Sequence, residues 1–247
     1  MRWIDPTAVR RALMFAGLAS IATAAAADTL VVRAIGPSAA AYPPGKKLPD
    51  TAKLRLQARD VITLLDARGT RTLKGPGIFS ASASTSADNG TTVLAALTSE
   101  RRDRRVRIGA VRQVEGVTDA RPDIWMVDVA KPGAVCVTDP AAVTLWRSDP
   151  SKAAQGSIAE VGGKASAQLS WAPGQASQPW PAGLKVATGA RYRVATGAAA
   201  PIELRTFVVV PAPADLPDIA SALIKNGCAT QLDQVVATAA AVSAAGS

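Results

Sequence analysis

Residues 52–80 read AKLRLQARDVITLLDARGTRTLKGPGIFS, and their patterning decides the fold class. Lys53-Leu54-Arg55-Leu56-Gln57 alternates, so Leu54 and Leu56 share one face of a strand while Lys53, Arg55 and Gln57 share the other. Residues 61–65, VITLL, form a denser apolar run, as in a more deeply buried strand. Asp66-Ala67-Arg68-Gly69 reads as a turn, with Asp opening it and Gly where φ can be positive. Residues 70–73 return as a third strand, and Gly75-Pro76-Gly77 stops it. Ile78-Phe79 is then expected to re-enter the core. The spacing predicts a meander of short strands, the pattern of a small sandwich or roll.

Upstream, residues 29–35, TLVVRAI, are β-branched enough to form a strand, broken by Gly36-Pro37-Ser38. Tyr42-Pro43-Pro44-Gly45-Lys46-Lys47 reads as a turn or short extended connector. The motif L-x-L-x-A-x-D-x-I-x-L-L-D-x-x-G-T-x-T-L-x-G-P-G, beginning at Leu54 and ending at Gly77, resembles the periplasmic FecR-type β-domain. The resemblance spans residues 29–80, and Arg59 stands where that pattern often has glycine. Family members with known roles are envelope sensors that signal through a transmembrane helix into a cytoplasmic segment. No stretch after residue 27 reads as such a helix, so the resemblance implies the fold of this unit rather than sensing. It implies no catalytic residues.

The first 27 residues read as a processing signal. Arg2, Arg10 and Arg11 form a basic start, residues 13–27 carry no charge, and Ala25-Ala26-Ala27 offers an A-x-A cleavage pattern before Asp28. An uncleaved anchor is the alternative, but the run is short against the ~20 apolar residues of a membrane span. The expected location is the periplasm or outside the cell. The whole chain has a net charge of +9; removing residues 1–27 leaves 25 basic and 18 acidic residues, or +7. Such a balance suits anionic envelope polymers or simply solubility.

Only two cysteines occur, Cys136 and Cys228, and in an oxidising compartment they are expected to pair as one disulfide, two buried thiols being the alternative. Histidine is absent from the 247 residues, which excludes Ser-His-Asp and Cys-His catalysis and histidine-based metal sites. No Gly-rich phosphate loop or serine-hydrolase elbow is present. No cofactor is implied. Asp119, Asp123 and Asp128 are close in sequence and could be offered as a carboxylate pair or calcium site, although turn acids are the preferred reading.

Residues 80–92 are Ser/Thr/Ala-rich and read as a loop, and residues 93–102 as a short helix with Val93, Leu94 and Leu97 on one face. The run RRDRRVRIGAVR, residues 101–112, holds six arginines and one aspartate. Arg101, Arg102, Arg104, Arg105 and Arg107 form a candidate polyanion-binding patch, against the plainer reading of a solvated helix end. Without interleaved aromatics the run lacks a base-stacking platform, and nucleic acid is not expected as a partner.

A turn-rich stretch at 116–123 marks a boundary, after which four of the five tryptophans fall: Trp125, Trp146, Trp171 and Trp180. Strands are expected at 124–129, 134–138, 143–146, 157–161, 165–171, 191–194 and 202–210, with residues 148–156 as a polar loop. The tryptophans could form a sugar-stacking platform, but core positions for Trp125 and Trp146, with Trp171 and Trp180 pinning loops, are preferred. The Cys136–Trp146 spacing invites an immunoglobulin reading. It is rejected because Cys228 follows a helix over 219–226 that Gly227 caps, so the bridge would tie a helix end to a sheet. A second short helix follows, and residues 237–247 are expected to form a flexible tail.

The sequence thus predicts a mainly β protein. Two small antiparallel β-sandwich or meander domains are expected at 28–115 and 116–236, with a short linking helix and one or two C-terminal helices. Its expected role is that of a non-catalytic envelope module with an envelope protein as partner. The alternative is a module binding anionic or sugar polymers.

Overall fold

The computed structural model describes residues 29–82, 90–98, 122–213 and 215–245. The chain is mainly β. An N-terminal unit holds β1 (Thr29–Ile35), β2 (Lys47–Leu48), β3 (Lys53–Leu56), β4 (Val61–Asp66), β5 (Gly69–Lys74) and β6 (Gly77–Ser80). Helix α1 (Gly90–Thr98) follows. The second unit holds β7 (Val127–Asp128), β8 (Gly133–Val137), β9 (Thr144–Trp146), β10 (Ala154–Glu160), β11 (Ser166–Trp171), β12 (Ser177–Pro179), β13 (Arg191–Thr196) and β14 (Ile202–Val208). Helices α2 (Leu216–Asn226) and α3 (Ala229–Ala245) close the chain.

The expected simple meander is replaced by two sheets. The larger runs β2-β1-β4-β5, and β3 pairs with β6 in a separate ribbon. The cause lies between β3 and β4. Asp60 is buried and accepts hydrogen bonds from the backbone N–H of Ser38 and of Gln57, while its own C=O accepts from Gly75 N–H. Arg59 adopts φ 71°, in the left-handed region. This tight turn sends the chain out of the ribbon and into the larger sheet. Gly36 lies against it: a Cβ there would meet Asp60 Oδ1 at 2.5 Å. The alternation read in β3 holds, with Leu54 and Leu56 buried and Lys53 and Arg55 exposed. The expectation for Ile78 does not. Ile78 pairs with Arg55 and is 61% exposed, while Phe79 turns inward opposite Leu54, because only one face of a two-stranded ribbon meets a core.

In the second unit the five-stranded sheet runs β11-β10-β13-β14-β8 and the three-stranded sheet β12-β9-β7. Local hairpins are antiparallel, whereas β14–β8 and β7–β9 pair in parallel. These latter pairs are distant in sequence and are joined by crossovers rather than tight turns. Between the sheets sits a core including Leu145, Ile158, Leu169, Trp171, Tyr192 and Leu204. Two expectations shift. Residues 124–126 are turn rather than strand, leaving β7 only two residues long. Residues 154–156 belong to β10 rather than to a loop, since Gly156 fits where a Cβ would meet Ala195 O at 2.4 Å.

The C-terminal helices form a layer between the two units. Leu30, Val32 and Leu65 from the N-terminal sheet share one core with Val93 and Leu97 of α1, Leu216, Ile219 and Leu223 of α2, Val235 and Ala239 of α3, and Cys136 of β8. Helix α2 begins under Asp215, whose side chain accepts from Asp218 N–H, and ends at Gly227 with φ 70°. Helix α3 continues to Ala245, so the tail expected from residue 237 is helical over most of its length. Its alanines favour helix, and Thr238 and Ala239 are buried.

Cys136 and Cys228 form the disulfide, with Cα atoms 5.9 Å apart. It ties the α2–α3 joint to β8. Next to it the buried Gln231 side chain completes the outer edge of β8. Its Oε1 accepts from Cys136 N–H at 2.7 Å, and its Nε2 donates to Cys136 C=O at 2.8 Å and to Ile124 C=O at 2.6 Å. An amide side chain here does the work of a neighbouring strand.

Gln231→Ala leaves those buried backbone groups unpaired and is expected to cost about 2–4 kcal/mol. That is a fall in Tm of roughly 5–15 °C for a chain of this size. A loss below about 1 kcal/mol in thermal or urea melts would show that other groups satisfy this edge. A second expectation concerns Asp60. Burial pushes its carboxyl up, but the hydrogen bonds from Ser38 and Gln57 outweigh this and hold it below the usual carboxylate value. Its stabilisation is therefore complete above the unfolded pKa of about 3.9 and is lost as pH falls through the lower folded value. Asp60→Asn should melt well below the parent at pH 7, with the gap narrowing only in strong acid; a gap that stays constant down to pH 2 would show that the charge is irrelevant.

Candidate functional site

Strand β13 alternates Arg191-Tyr192-Arg193-Val194, so Tyr192 and Val194 enter the core and both arginines stand on the outer face of the five-stranded sheet. Strand β14 does the same with Glu203 and Arg205 outside and Leu204 and Thr206 inside. The antiparallel register puts Arg191 directly opposite Arg205 and Arg193 opposite Glu203. Glu203 reaches diagonally to Arg191, with Nε–Oε1 at 3.3 Å. Arg205 has no acidic partner among the described residues; its guanidinium lies over the Phe207 ring, 5.2 Å from the centroid.

Beside Arg205 an open groove of about 290 Å³ runs between β14, the start of β8 and the end of α2. Glu203, Arg205, Phe207 and Asn226 border it, and Gly133 and Ala134 lie along its β8 side. Asn226 is held by its own helix, donating to Ala222 C=O at 2.9 Å. Like charges set directly opposite on paired strands repel. Three cations against one carboxylate thus make a surface suited to an anion.

The residues expected to form sites fall elsewhere. Arg101, Arg102, Arg104, Arg105 and Arg107 lie outside the described residues. Ile124 N–H donates to Leu97 C=O at 2.9 Å, joining the chain on either side of them, and Gln234 Nε2 of α3 donates to Pro122 C=O at 2.6 Å. The sugar-platform reading of the tryptophans is overturned. Trp146, Trp171 and Trp180 are all buried, and Trp125 packs partly buried against the helical core. Trp180 donates to Leu184 C=O and meets Tyr192 edge-on at 4.9 Å, and Arg147 covers the Trp171 ring. Asp123 and Asp128 are turn acids, accepting from the N–H of Trp125 and of Ala130. Burial raises Asp128 above the usual carboxylate value, despite the Ala130 N–H and nearby Lys131. Asp119 lies outside the described residues, and no cluster of three metal-ligating side chains occurs among those described.

Sequence reading missed Arg191, Arg193, Glu203 and Arg205. The available signal was the charge at alternate positions of two successive strands. Compared with known protein families, curated proteins and solved structures, the chain matches none.

Glu203→Gln removes the only carboxylate paired with these arginines among the described residues and is expected to lower stability by about 0.2–1 kcal/mol at low salt. In ~1 M NaCl, where the screening length falls to about 3 Å, most of that loss should vanish. A salt-independent loss would assign Glu203 a packing role instead.

Proposed function

We propose that this protein is an exported, non-catalytic envelope module that holds an acidic partner against the outer face of its five-stranded sheet. The observation that carries the reading is Arg205: it is set opposite Arg191, lacks a carboxylate of its own among the described residues, and borders the groove. Export rests on the N-terminal signal pattern together with the disulfide. Among the described residues no helix is long and apolar enough to cross a membrane. The FecR-type resemblance of residues 29–80 belongs to the same reading and supplies a scaffold rather than chemistry.

An acidic face of another envelope protein is the first choice of partner. An anionic envelope polymer is the second, favoured by the net charge of +7 left once residues 1–27 are removed and by the arginine run at 101–112. Photo-cross-linking in intact cells from position 159, which pairs with Arg193, separates them. A discrete adduct, lost when Arg191, Arg193 and Arg205 are all changed to Ala, is the expected result. Co-sedimentation with purified peptidoglycan that depends on the same three residues would select the polymer. If neither signal responds to the triple substitution, the face is not the binding surface. Changing Arg101, Arg102, Arg104, Arg105 and Arg107 to Ala, as a separate variant, tests the basic run by itself.

A further inference from the structure

Sheet edges expose unpaired backbone groups, and proteins normally guard them. Here β8 is closed by Gln231. Strands β2 and β7 are two residues long, and β12 is three long and carries Pro179. In the N-terminal unit β5 bears Arg71 and Lys74, and β3 bears Lys53 and Arg55. The remaining edge of the five-stranded sheet, β11, has none of these devices. Its six residues, SAQLSW, contain no charge and no proline, and they pair with β10 without a bulge. No hydrogen bond from another element reaches its outer side among the described residues.

We propose that a second copy of this chain pairs with β11, strand to strand and antiparallel, to make one continuous ten-stranded sheet. The strand is self-complementary about Gln168. A two-fold axis there sets Gln168 against Gln168, Ser166 against Ser170 and Ala167 against Leu169. This register keeps the polar residues on the outer face of both copies and Ala167, Leu169 and Trp171 on the core side. A slip by one residue would bring Leu169 onto the polar face. Charge does not oppose the contact. The Arg191 and Arg193 rows sit on the third strand from the edge, so at ~4.8 Å per strand the two rows stand roughly 24 Å apart. That is well beyond the ~8 Å screening length at physiological salt. Between them lies a neutral strip of Gln155, Ser157, Ala159, Ser166, Gln168 and Ser170. The dimer would therefore show its arginines as two parallel rows on one face.

Edge pairing alone buries less than a standard interface, so a dissociation constant on the order of 10 µM is expected. Light scattering of the purified chain from about 1 to 200 µM should show a monomer passing to a dimer. Gln168→Lys, which changes an exposed side chain and places two charges at the axis, should keep the protein monomeric over that range with an unchanged melt. Gln168→Cys should give a disulfide-linked dimer under mild oxidation, whereas Ser157→Cys, one strand further in, should not. A chain that stays monomeric throughout, or a Gln168→Lys variant that dimerises like the parent, overturns the proposal. So does equal cross-linking from positions 157 and 168.

Discussion

The side-chain amide of Gln231 stands in for a strand. Cys136 on β8 presents an N–H and a C=O away from β14, into a region that is otherwise apolar. Unpaired there, each would cost about as much as a lost buried hydrogen bond. One glutamine satisfies both and also reaches Ile124. The Cys136–Cys228 bond holds the α2–α3 joint beside it, closing a separation of 92 residues. In chain-entropy terms such a closure is worth about 4–5 kcal/mol. Hydrogen bonds and covalent link thus converge on a single residue of a single edge strand, and the helical layer hangs from that point.

The helical layer in turn decides how the larger sheets are used. On one side it receives Leu30, Val32 and Leu65 from the N-terminal sheet, and on the other Ala134, Cys136, Phe207 and Val209. Among the described residues it covers the β8 end of the five-stranded sheet and leaves the β10–β11 end open. Glu203 and Arg205 fall at the border between the covered and open parts, and the groove opens there. The cationic face and the neutral β11 edge both belong to the part of the sheet that the staple does not reach.

Much of the local structure was legible because it is carried by neighbours in sequence. Residues 29–35 form the expected strand, the Asp66–Gly69 turn forms with Arg68 N–H donating to Asp66, and Gly227 ends its helix in a left-handed conformation. The disulfide and the helix-to-sheet tie it makes were also legible, since only two cysteines exist. Ile78 was misread because an apolar side chain on a two-stranded ribbon has a core on one side only. The β10 start was misread because Gly156 signals a turn in sequence and a close backbone contact in space. Helix α3 outran its expected end because α1 and the N-terminal sheet supply an apolar surface for Val235 and Ala239. Of the candidate site, single strands showed alternating arginines, but nothing in one strand says which neighbour it will face.

The sequence by itself determined the β-rich class, the single covalent staple and the absence of histidine chemistry, since each follows from composition or from patterns a few residues long. Only the tertiary structure decided that Arg191 faces Arg205, that Gln231 closes β8 and that no described element pairs with the outer side of β11. Pairing register and sheet order are long-range properties: Cys136 and Gln231 are 95 residues apart. Their contact depends on how the apolar faces of three layers are shared, which no local pattern encodes.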